Sequence, residues 1–410
     1  MGSMKLRTLD DINVTGKTVL LRVDLNVPMQ GGIVTDDTRI ARLKPTLAYL
    51  TKKKARIVLL SHFDRPGGKF VPSLSLAPLA NALKPVLGGK EVQFGVDCVG
   101  PAAQDAVSKL KPGEAILLEN LRFHPEEEKG DAHFARELAS LGDVFINDAF
   151  SCSHRAHASI TGITKYLPSA AGRLMQREIE ELDSIFSGTR KPVTAIIGGA
   201  KASTKLALLG NLIGKVDNLI IGGAMANTFL LAQGHSLGKS LVEPTLKATA
   251  KRILEKAKKQ GCKIILPQDV IVGASLEAPS AMMVDVDAIP SSMMALDIGN
   301  KTFRTIVECL KNSETVVWNG PLGVFEVPPF NSLTFMVARE VASLTHNKKS
   351  FKSIAGGGDT LAALALARMT DSFSYISTAG GAFLEWLEGK TLPGVAVLMN
   401  AKTGGKAKSA

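Results

Sequence analysis

Val19-Leu20-Leu21-Arg22-Val23-Asp24-Leu25-Asn26 stays almost wholly apolar for several residues and then meets an acid and an amide. A short apolar run of this kind, without polar alternation, reads as a strand buried on both faces, the pattern of parallel α/β sheets. The pattern recurs. Arg56-Ile57-Val58-Leu59-Leu60 meets His62 and Arg65, Ala115-Ile116-Leu117-Leu118 meets Glu119, Asn120 and Arg122, and Val144-Phe145-Ile146 meets Asn147 and Asp148. Later in the chain the runs end in glycine instead. Thr194-Ala195-Ile196-Ile197 leads to Gly198-Gly199, Leu219-Ile220-Ile221 to Gly222-Gly223, Val316-Val317-Trp318 to Asn319-Gly320, and Ser353-Ile354-Ala355 to Gly356-Gly357-Gly358-Asp359. Ligands of parallel sheets bind beyond the carboxyl ends of the strands, where these residues stand. Arginines and a histidine there suit a small anionic metabolite. Glycine turns leading into helices bring backbone N–H groups and the positive helix end up to phosphates. Two domains holding two different anions are expected.

The chain of 410 residues is too long for one compact core and fits two domains of roughly 150 to 200 residues. After Pro168, Leu174, Met175, Ile179, Leu182 and Phe186 recur at three- and four-residue steps, with Arg177, Glu178, Glu180 and Glu181 on the other face and Gly188 closing the pattern. This amphipathic helix is a natural connector between the two halves.

Composition narrows the class further. The apolar runs last four to eight residues, too short to cross a membrane, and no signal-peptide core follows Met1. Met1-Gly2-Ser3-Met4 reads as an expression scar. Cys98, Cys152, Cys262 and Cys309 are scattered, so neither a disulfide framework nor a zinc site is indicated, and a reducing cytoplasm is the simplest home. Cys152 near His154 and His157 is weak evidence for a nucleophile or a metal site. The net charge of +11 raises nucleic-acid binding as an alternative. Against it, the lysines are dispersed and aromatics make up only 5% of residues, leaving few stacking platforms. Glu126, Glu127 and Glu128 read as a solvated charge run, and Thr403-Gly404-Gly405-Lys406-Ala407-Lys408 as a fraying tail. Neither G-x-G-x-x-G nor G-x-x-x-x-G-K-[ST] occurs, which disfavours a dinucleotide oxidoreductase or a P-loop kinase. The glycine pairs beside Lys201, Lys205 and Asp359 are read as a phosphate and Mg²⁺ site.

Seven blocks together resemble the signature of the phosphoglycerate kinase family. They are Arg22-Val23-Asp24-Leu25-Asn26-Val27-Pro28, Ser61-His62-Phe63-Asp64-Arg65-Pro66, Glu119-Asn120-Leu121-Arg122-Phe123-His124-Pro125-Glu126-Glu127, Asp148-Ala149-Phe150 with His154-Arg155-Ala156-His157, Gly198-Gly199-Ala200-Lys201, Trp318-Asn319-Gly320-Pro321-Leu322-Gly323-Val324-Phe325-Glu326 and Gly356-Gly357-Gly358-Asp359-Thr360. The resemblance implies an α/β fold of two Rossmann-like domains, each a parallel sheet flanked by helices, joined by a long helix and hinge. It implies a 3-phosphoglycerate domain at 1–170, an interdomain helix at 171–187, a nucleotide domain at 188–390, and a segment at 391–410 returning towards the first domain. The implied reaction is ATP + 3-phosphoglycerate ⇌ ADP + 1,3-bisphosphoglycerate with Mg²⁺, carried out by a cytoplasmic monomer that binds neither nucleic acid nor membrane.

Carried over position by position, the resemblance puts Asp24 and Asn26 on the glycerate, and Arg39, His62, Arg65, Arg122 and Arg155 in a basic patch for the substrate phosphate and the transferring group. Lys205 would lie on the nucleotide phosphates, and Lys201 would follow the transferred phosphoryl group. Asn319 and Glu326 are implied as nucleotide contacts, with Glu326 on the ribose. Gly357, Gly358, Asp359 and Thr360 would form the phosphate loop, with Asp359 on the metal. Arg39, Lys201 and Gly358 are the implied catalytic groups. The chain departs from the pattern at three places: Phe63-Asp64 replaces Leu-Gly, Ser151 stands after Asp-Ala-Phe where glycine is common, and Ala379 replaces a glycine in a late block. A residue other than glycine at 64 loses easy access to positive φ and adds a negative charge beside an anion site. The substrate carboxylate is already ionised at neutral pH, so no protein general base is required; alignment and charge compensation are what the protein supplies on domain closure.

Overall fold

The computed structural model describes residues 5–186, 190–278 and 280–399. The leader Met1–Met4, Gly188 and the Gly/Lys-rich tail lie outside the described residues. The chain divides into two compact units. The first runs to Glu180 and resumes at Thr391; the second is Glu181–Lys390.

The strands of the first unit are β1 (Thr18–Arg22), β2 (Met29–Gln30), β3 (Ile33–Val34), β4 (Arg56–Leu60), β5 (Val92–Gly95), β6 (Ala115–Leu118), β7 (Val144–Asn147) and β8 (Ser169–Ala171). Six of them form one parallel sheet in the order β5-β6-β4-β1-β7-β8, and β2 and β3 pair as a small antiparallel ribbon. Both faces of the sheet are buried, which is why the runs show no polar alternation. Val19, Leu21, Ile57 and Leu59 join one core with Leu47, Leu50 and Leu79, whereas Leu20, Val58, Leu60 and Phe145 join another with Val107, Phe134 and Leu138. Register brings the functional ends level. Arg22 at the end of β1 lies opposite Leu60 of β4 and Asn147 of β7, so the loops that follow these strands open on one rim of the sheet.

The second unit contains β9 (Val193–Ile197), β10 (Asn218–Ile221), β11 (Lys263–Ile265), β12 (Asp269–Gly273), β13 (Met282–Asp285), β14 (Met294–Ile298), β15 (Thr315–Asn319), β16 (Lys352–Gly356) and β17 (Tyr375–Ser377). Its main sheet is parallel, in the order β11-β10-β9-β15-β16-β17, and Ile197 of β9 lies opposite Ile221 on one side and Asn319 on the other. A second, antiparallel sheet, β13-β12-β14, adds to the purely parallel architecture expected from the sequence. Val270 and Val272 of β12 bury against Leu230 and Leu237, so this sheet has a small core of its own.

Helix Arg173–Phe186 buries Met175, Ile179, Leu182 and Ile185, and the chain passes from the first unit to the second within it. Glu178 departs from the expected polar face: it is buried, with Oε1 4.0 Å from Nη1 of Arg42.

Candidate functional site

On the first unit the loops after β6, β4, β1 and β7, four neighbouring strands, carry the anion-binding candidates. Asp24 follows β1. Its Oδ1 accepts from the backbone N–H of Asn26 at 3.0 Å, and its Oδ2 accepts from Arg39 Nη1 at 3.0 Å and from Ser151 Oγ at 2.5 Å. Arg39 stands in the short helix Thr38–Ala41 and also donates from Nη1 to the Asn26 carbonyl at 2.8 Å. The Asn26 side chain accepts from the Asp64 N–H at 3.0 Å, which ties the loop after β1 to the loop after β4. Asp64 has φ 50°, the left-handed conformation that a glycine would take freely and that aspartate tolerates better than most residues. Its carbonyl accepts from Arg122 Nη1 at 2.6 Å. Ser151 and Ala379, the other two departures, do not fall in the positive-φ region, so neither strains its loop.

Arg122 occupies the 3₁₀ turn Leu121–Phe123 after β6, and its Nε lies 3.1 Å from Glu128. Burial, and then the charge of Arg155, pull its pKa down, as expected where cations gather before an anion arrives. Arg155 directs its Nε to His154 at 3.1 Å. Arg65 is exposed and makes no side-chain hydrogen bond among the described residues.

His62 differs from the cationic role expected of it. It is only 5% exposed, and burial followed by the charges of Arg22, Arg122 and Arg155 holds its pKa well below the ordinary histidine range. Its Nδ1 lies 3.1 Å from Arg22 Nη2; a guanidinium can only donate, so Nδ1 accepts and the ring proton sits on Nε2. His62 is therefore a neutral hydrogen-bonding group, not one of the positive charges of the patch. Cys152, buried 3.9 Å from the same Nδ1, has its thiol pKa pushed up by burial, which suits a structural residue and not a nucleophile.

Two residues were missed by local reasoning. Arg22 is buried inside the apolar run; it donates from Nε to Ser159 Oγ at 3.0 Å and from Nη1 to the Val23 carbonyl. Glu127 is also buried and accepts from the Ser159 N–H at 2.9 Å and its Oγ at 2.6 Å. The solvated-run reading is therefore corrected for Glu127. Its partner lies 32 residues further along the chain, so no local signal could have found it.

On the second unit the site is built from the ends of β10, β9, β15 and β16, again neighbours in one sheet. Glycine is required where backbone meets backbone: a Cβ on Gly198 would lie 1.8 Å from the Pro321 carbonyl oxygen. Lys205 follows β9, and its ammonium donates to the Gly198 carbonyl at 2.7 Å, the Asn319 carbonyl at 3.3 Å and Asn319 Oδ1 at 2.6 Å. Burial pulls its pKa down to about 8, and the negative charge of Asp359 partly opposes this. Asn319 donates in turn from Nδ2 to the Gly356 carbonyl at 2.7 Å, tying β15 to the glycine loop after β16. Thr360 closes that loop, donating to the Gly356 carbonyl at 2.9 Å and accepting from the Gly320 N–H at 2.6 Å. Gly357, at φ 100°, caps helix Gly358–Leu366, whose first turn presents Gly358 and Asp359 to solvent.

A cavity of about 670 Å³ opens beside these turns, with Gly199, Gly223, Leu241, Val324, Glu326 and Asp359 in its walls. Val270, Leu296 and Asp297, from the antiparallel sheet that the sequence did not announce, also line it. Its surface is largely apolar, as suits a flat ring, and Glu326 and Asp359 are the exposed carboxylates in its walls. Lys201 is exposed and makes no side-chain hydrogen bond among the described residues.

Asp359 fits a Mg²⁺ ion. It is an exposed carboxylate at the start of a helix, on the cavity wall, and no protein hydrogen bond among the described residues occupies its oxygens. Mg²⁺ typically takes one or two carboxylates and fills its remaining positions with phosphate oxygens and water. The groups of three metal-binding side chains among the described residues, Asp24 with His62 and Cys152 and Asp97 with Cys98 and His124, include sulfur and nitrogen donors that suit a softer ion.

The family model described as phosphoglycerate kinase matches residues 9–390. A phosphoglycerate kinase of a Ruegeria species is 53% identical over 396 residues, covering 96% of this chain and all of the relative. One from Agrobacterium fabrum is 51% identical over 97% of the chain and 99% of the relative. The solved structure of phosphoglycerate kinase from Coxiella burnetii superposes with a TM-score of 0.88 at 42% identity, covering 96% of this chain and 99% of that one. The Pyrococcus horikoshii structure gives 0.77 at 30% identity, covering 96% and 98%.

Proposed function

The chain belongs to the phosphoglycerate kinase family, and from that membership we propose how its residues divide the work. The enzyme transfers a phosphoryl group reversibly between ATP and the carboxylate of 3-phosphoglycerate. The first unit takes 3-phosphoglycerate: Asp24 and Asn26 on the glycerate, Arg39, Arg65, Arg122 and Arg155 on its anionic groups, and His62 as a neutral hydrogen-bonding partner. The second unit takes the nucleotide. Glu326 meets the ribose, Lys205, Asn319 and the loop Gly357–Thr360 meet the phosphates, and Asp359 holds Mg²⁺. When bound, the metal neutralises charge on the nucleotide phosphates.

The single observation that supports this division is the charge asymmetry of the two sheet rims. Arginines from four connecting segments gather on one, and glycine turns with a partly buried lysine gather on the other. In the reaction a carboxylate oxygen of the substrate forms a bond to the terminal phosphorus of ATP as the bond from that phosphorus to the bridging oxygen breaks, leaving ADP. No proton moves, so the protein's task is alignment and stabilisation of the negative charge in flight. Arg39, Lys201 and the Gly358 N–H are assigned to that charge.

Coupled turnover of 3-phosphoglycerate and Mg·ATP tests the reading. Arg39→Ala and Lys201→Ala should each lower kcat by about 10²- to 10³-fold, the usual cost of losing a preorganised charge-stabilising group. Wild-type-like turnover in either variant would remove that residue from the mechanism. The nucleic-acid reading raised by the net charge finds no support in the family match. No helix among the described residues is long and apolar enough to cross a membrane. A cytoplasmic monomer fits this, and light scattering on the purified enzyme checks the oligomeric state.

A further inference from the structure

We propose that Ser151 is a positioning residue for 3-phosphoglycerate, acting by pinning the Asp24 carboxylate with its hydroxyl. The inference rests on the reading of Asp24 as a substrate contact. A carboxylate inside a site built for a multiply charged anion repels its ligand unless it is neutralised and held in one orientation. Asp24 is held by three donors. The Asn26 N–H takes Oδ1, and Arg39 and Ser151 both take Oδ2, at 3.0 and 2.5 Å. A carboxylate offers about four acceptor positions, so this arrangement fills Oδ2 and leaves one position on Oδ1, the oxygen available to a substrate hydroxyl.

Without the Ser151 hydroxyl, Oδ2 keeps Arg39 alone. The carboxylate is then free to turn about its terminal torsion and draw the guanidinium into a two-pronged pair, the geometry that arginine and carboxylate favour. Arg39 would spend on Asp24 the donors that the incoming anion needs. Ser151 is well placed to prevent this. It sits in the turn Phe150–Cys152 directly after β7, on the same sheet rim as β1, and among the described residues its hydroxyl has one further side-chain hydrogen-bond partner, the Cys152 thiol at 3.8 Å. The hydroxyl-to-carboxylate bond is charge-assisted and belongs to the stronger class of hydrogen bonds.

Steady-state kinetics on the full-length enzyme test this, with Ser151→Ala, Asp24→Ala and the double variant, varying 3-phosphoglycerate and ATP in turn. Ser151→Ala should raise KM for 3-phosphoglycerate by about three- to tenfold, the size of one partly replaced hydrogen bond to a charged group. kcat should fall with it, because Arg39 is also assigned to the charge in flight, whereas KM for ATP should stay within about twofold, a split between the two substrates that general loosening of the fold would not give. In the Asp24→Ala background the same substitution should add nothing, because Ser151 acts through Asp24. An unchanged KM in Ser151→Ala, or an equal rise with and without Asp24, overturns the inference but leaves the site standing if Asp24→Ala itself raises KM. An Asp24→Ala variant with wild-type KM overturns both.

Discussion

Lys205 shows how one side chain links the fold to the chemistry. Its three ammonium protons are all spent on the ends of β9 and β15, and burial brings its pKa down to about 8. The sign of the pH effect follows. Above that value the amine loses the charge that attracts phosphate, so KM for ATP should rise across pH 7 to 9, up to about tenfold, while KM for 3-phosphoglycerate stays flat. Stability moves the other way for this group. Between about 8 and the ordinary lysine value of 10.5 the unfolded chain holds more protons than the folded one, so the contribution of Lys205 to folding grows as pH rises through that window. Weakened ATP binding at pH 9 would therefore not come from a loss of this group's contribution to stability. A Lys205→Gln variant should show a high KM for ATP that no longer responds to pH, and a flat wild-type profile would refute the assignment. The lysine itself was legible in its motif; its depressed pKa was not, because that comes from burial, which the packing of segments distant in sequence decides.

The turn between β16 and helix Gly358–Leu366 depends on glycine. Gly357 has φ 100° and ψ 141°, a region essentially reserved for glycine, and a Cβ there would stand 2.5 Å from Asn319 Nδ2. Gly210, in helix Leu206–Leu212, has ordinary helical backbone and open space where its Cβ would go. Opposite outcomes follow from the same chemical change. Gly357→Ala should lower the unfolding midpoint and raise KM for ATP at least about tenfold, because it displaces the amide that holds Lys205. Gly210→Ala should stabilise the enzyme by roughly 0.5–1 kcal/mol and leave both KM values alone. Thermal unfolding and steady-state kinetics on the pair check this, and similar behaviour of the two variants would show that the glycine turn is not built as described. The same contrast explains what sequence could and could not reveal. Apolar runs marked β1, β4, β6, β7, β9, β10, β15 and β16 because both faces of each sheet are buried, and the residues after them marked the rims. Asp64 was legible as a misfit, and the structure locates the misfit in a φ of 50°. The antiparallel sheet was hidden because the run Val270-Ile271-Val272 is as apolar as a parallel strand and its partners are set by distant pairing. Glu127 and Glu178 were hidden because a buried carboxylate is recognised by its partner, not by its neighbours in sequence.

At the scale of the whole chain, the last described segment belongs to the unit with which the sequence begins. Helix Pro393–Met399 packs on the turn Phe150–Cys152, on the π-helical turn Ala158–Gly162 and on β8. Leu392, Val395 and Leu398 are buried, the Leu398 carbonyl accepts from the Arg7 N–H at 3.1 Å, and the Gly394 N–H donates to the Ser153 carbonyl at 2.8 Å. Gly394 is glycine because a Cβ would press to 2.9 Å against the Ser153 Cα, in the loop that carries both Ser151 and Arg155. The segment therefore packs against the loop that carries Ser151 and Arg155, although it follows the whole second unit in the sequence. Burying one such side chain is worth about 1.5–3 kcal/mol, so a chain ending at Lys390 should lose several kcal/mol from the first unit. The second unit contains none of these contacts. Hydrogen exchange should accelerate in β1, β4 and β7 and remain unchanged in β9 and β15, and KM for 3-phosphoglycerate should rise while KM for ATP does not. Equal acceleration in both units would mean that the truncation acts on the molecule as a whole. No acceleration in the first would mean that the contacts of Leu392, Val395 and Leu398 contribute little, because each unit draws its stability from its own sheet and cores.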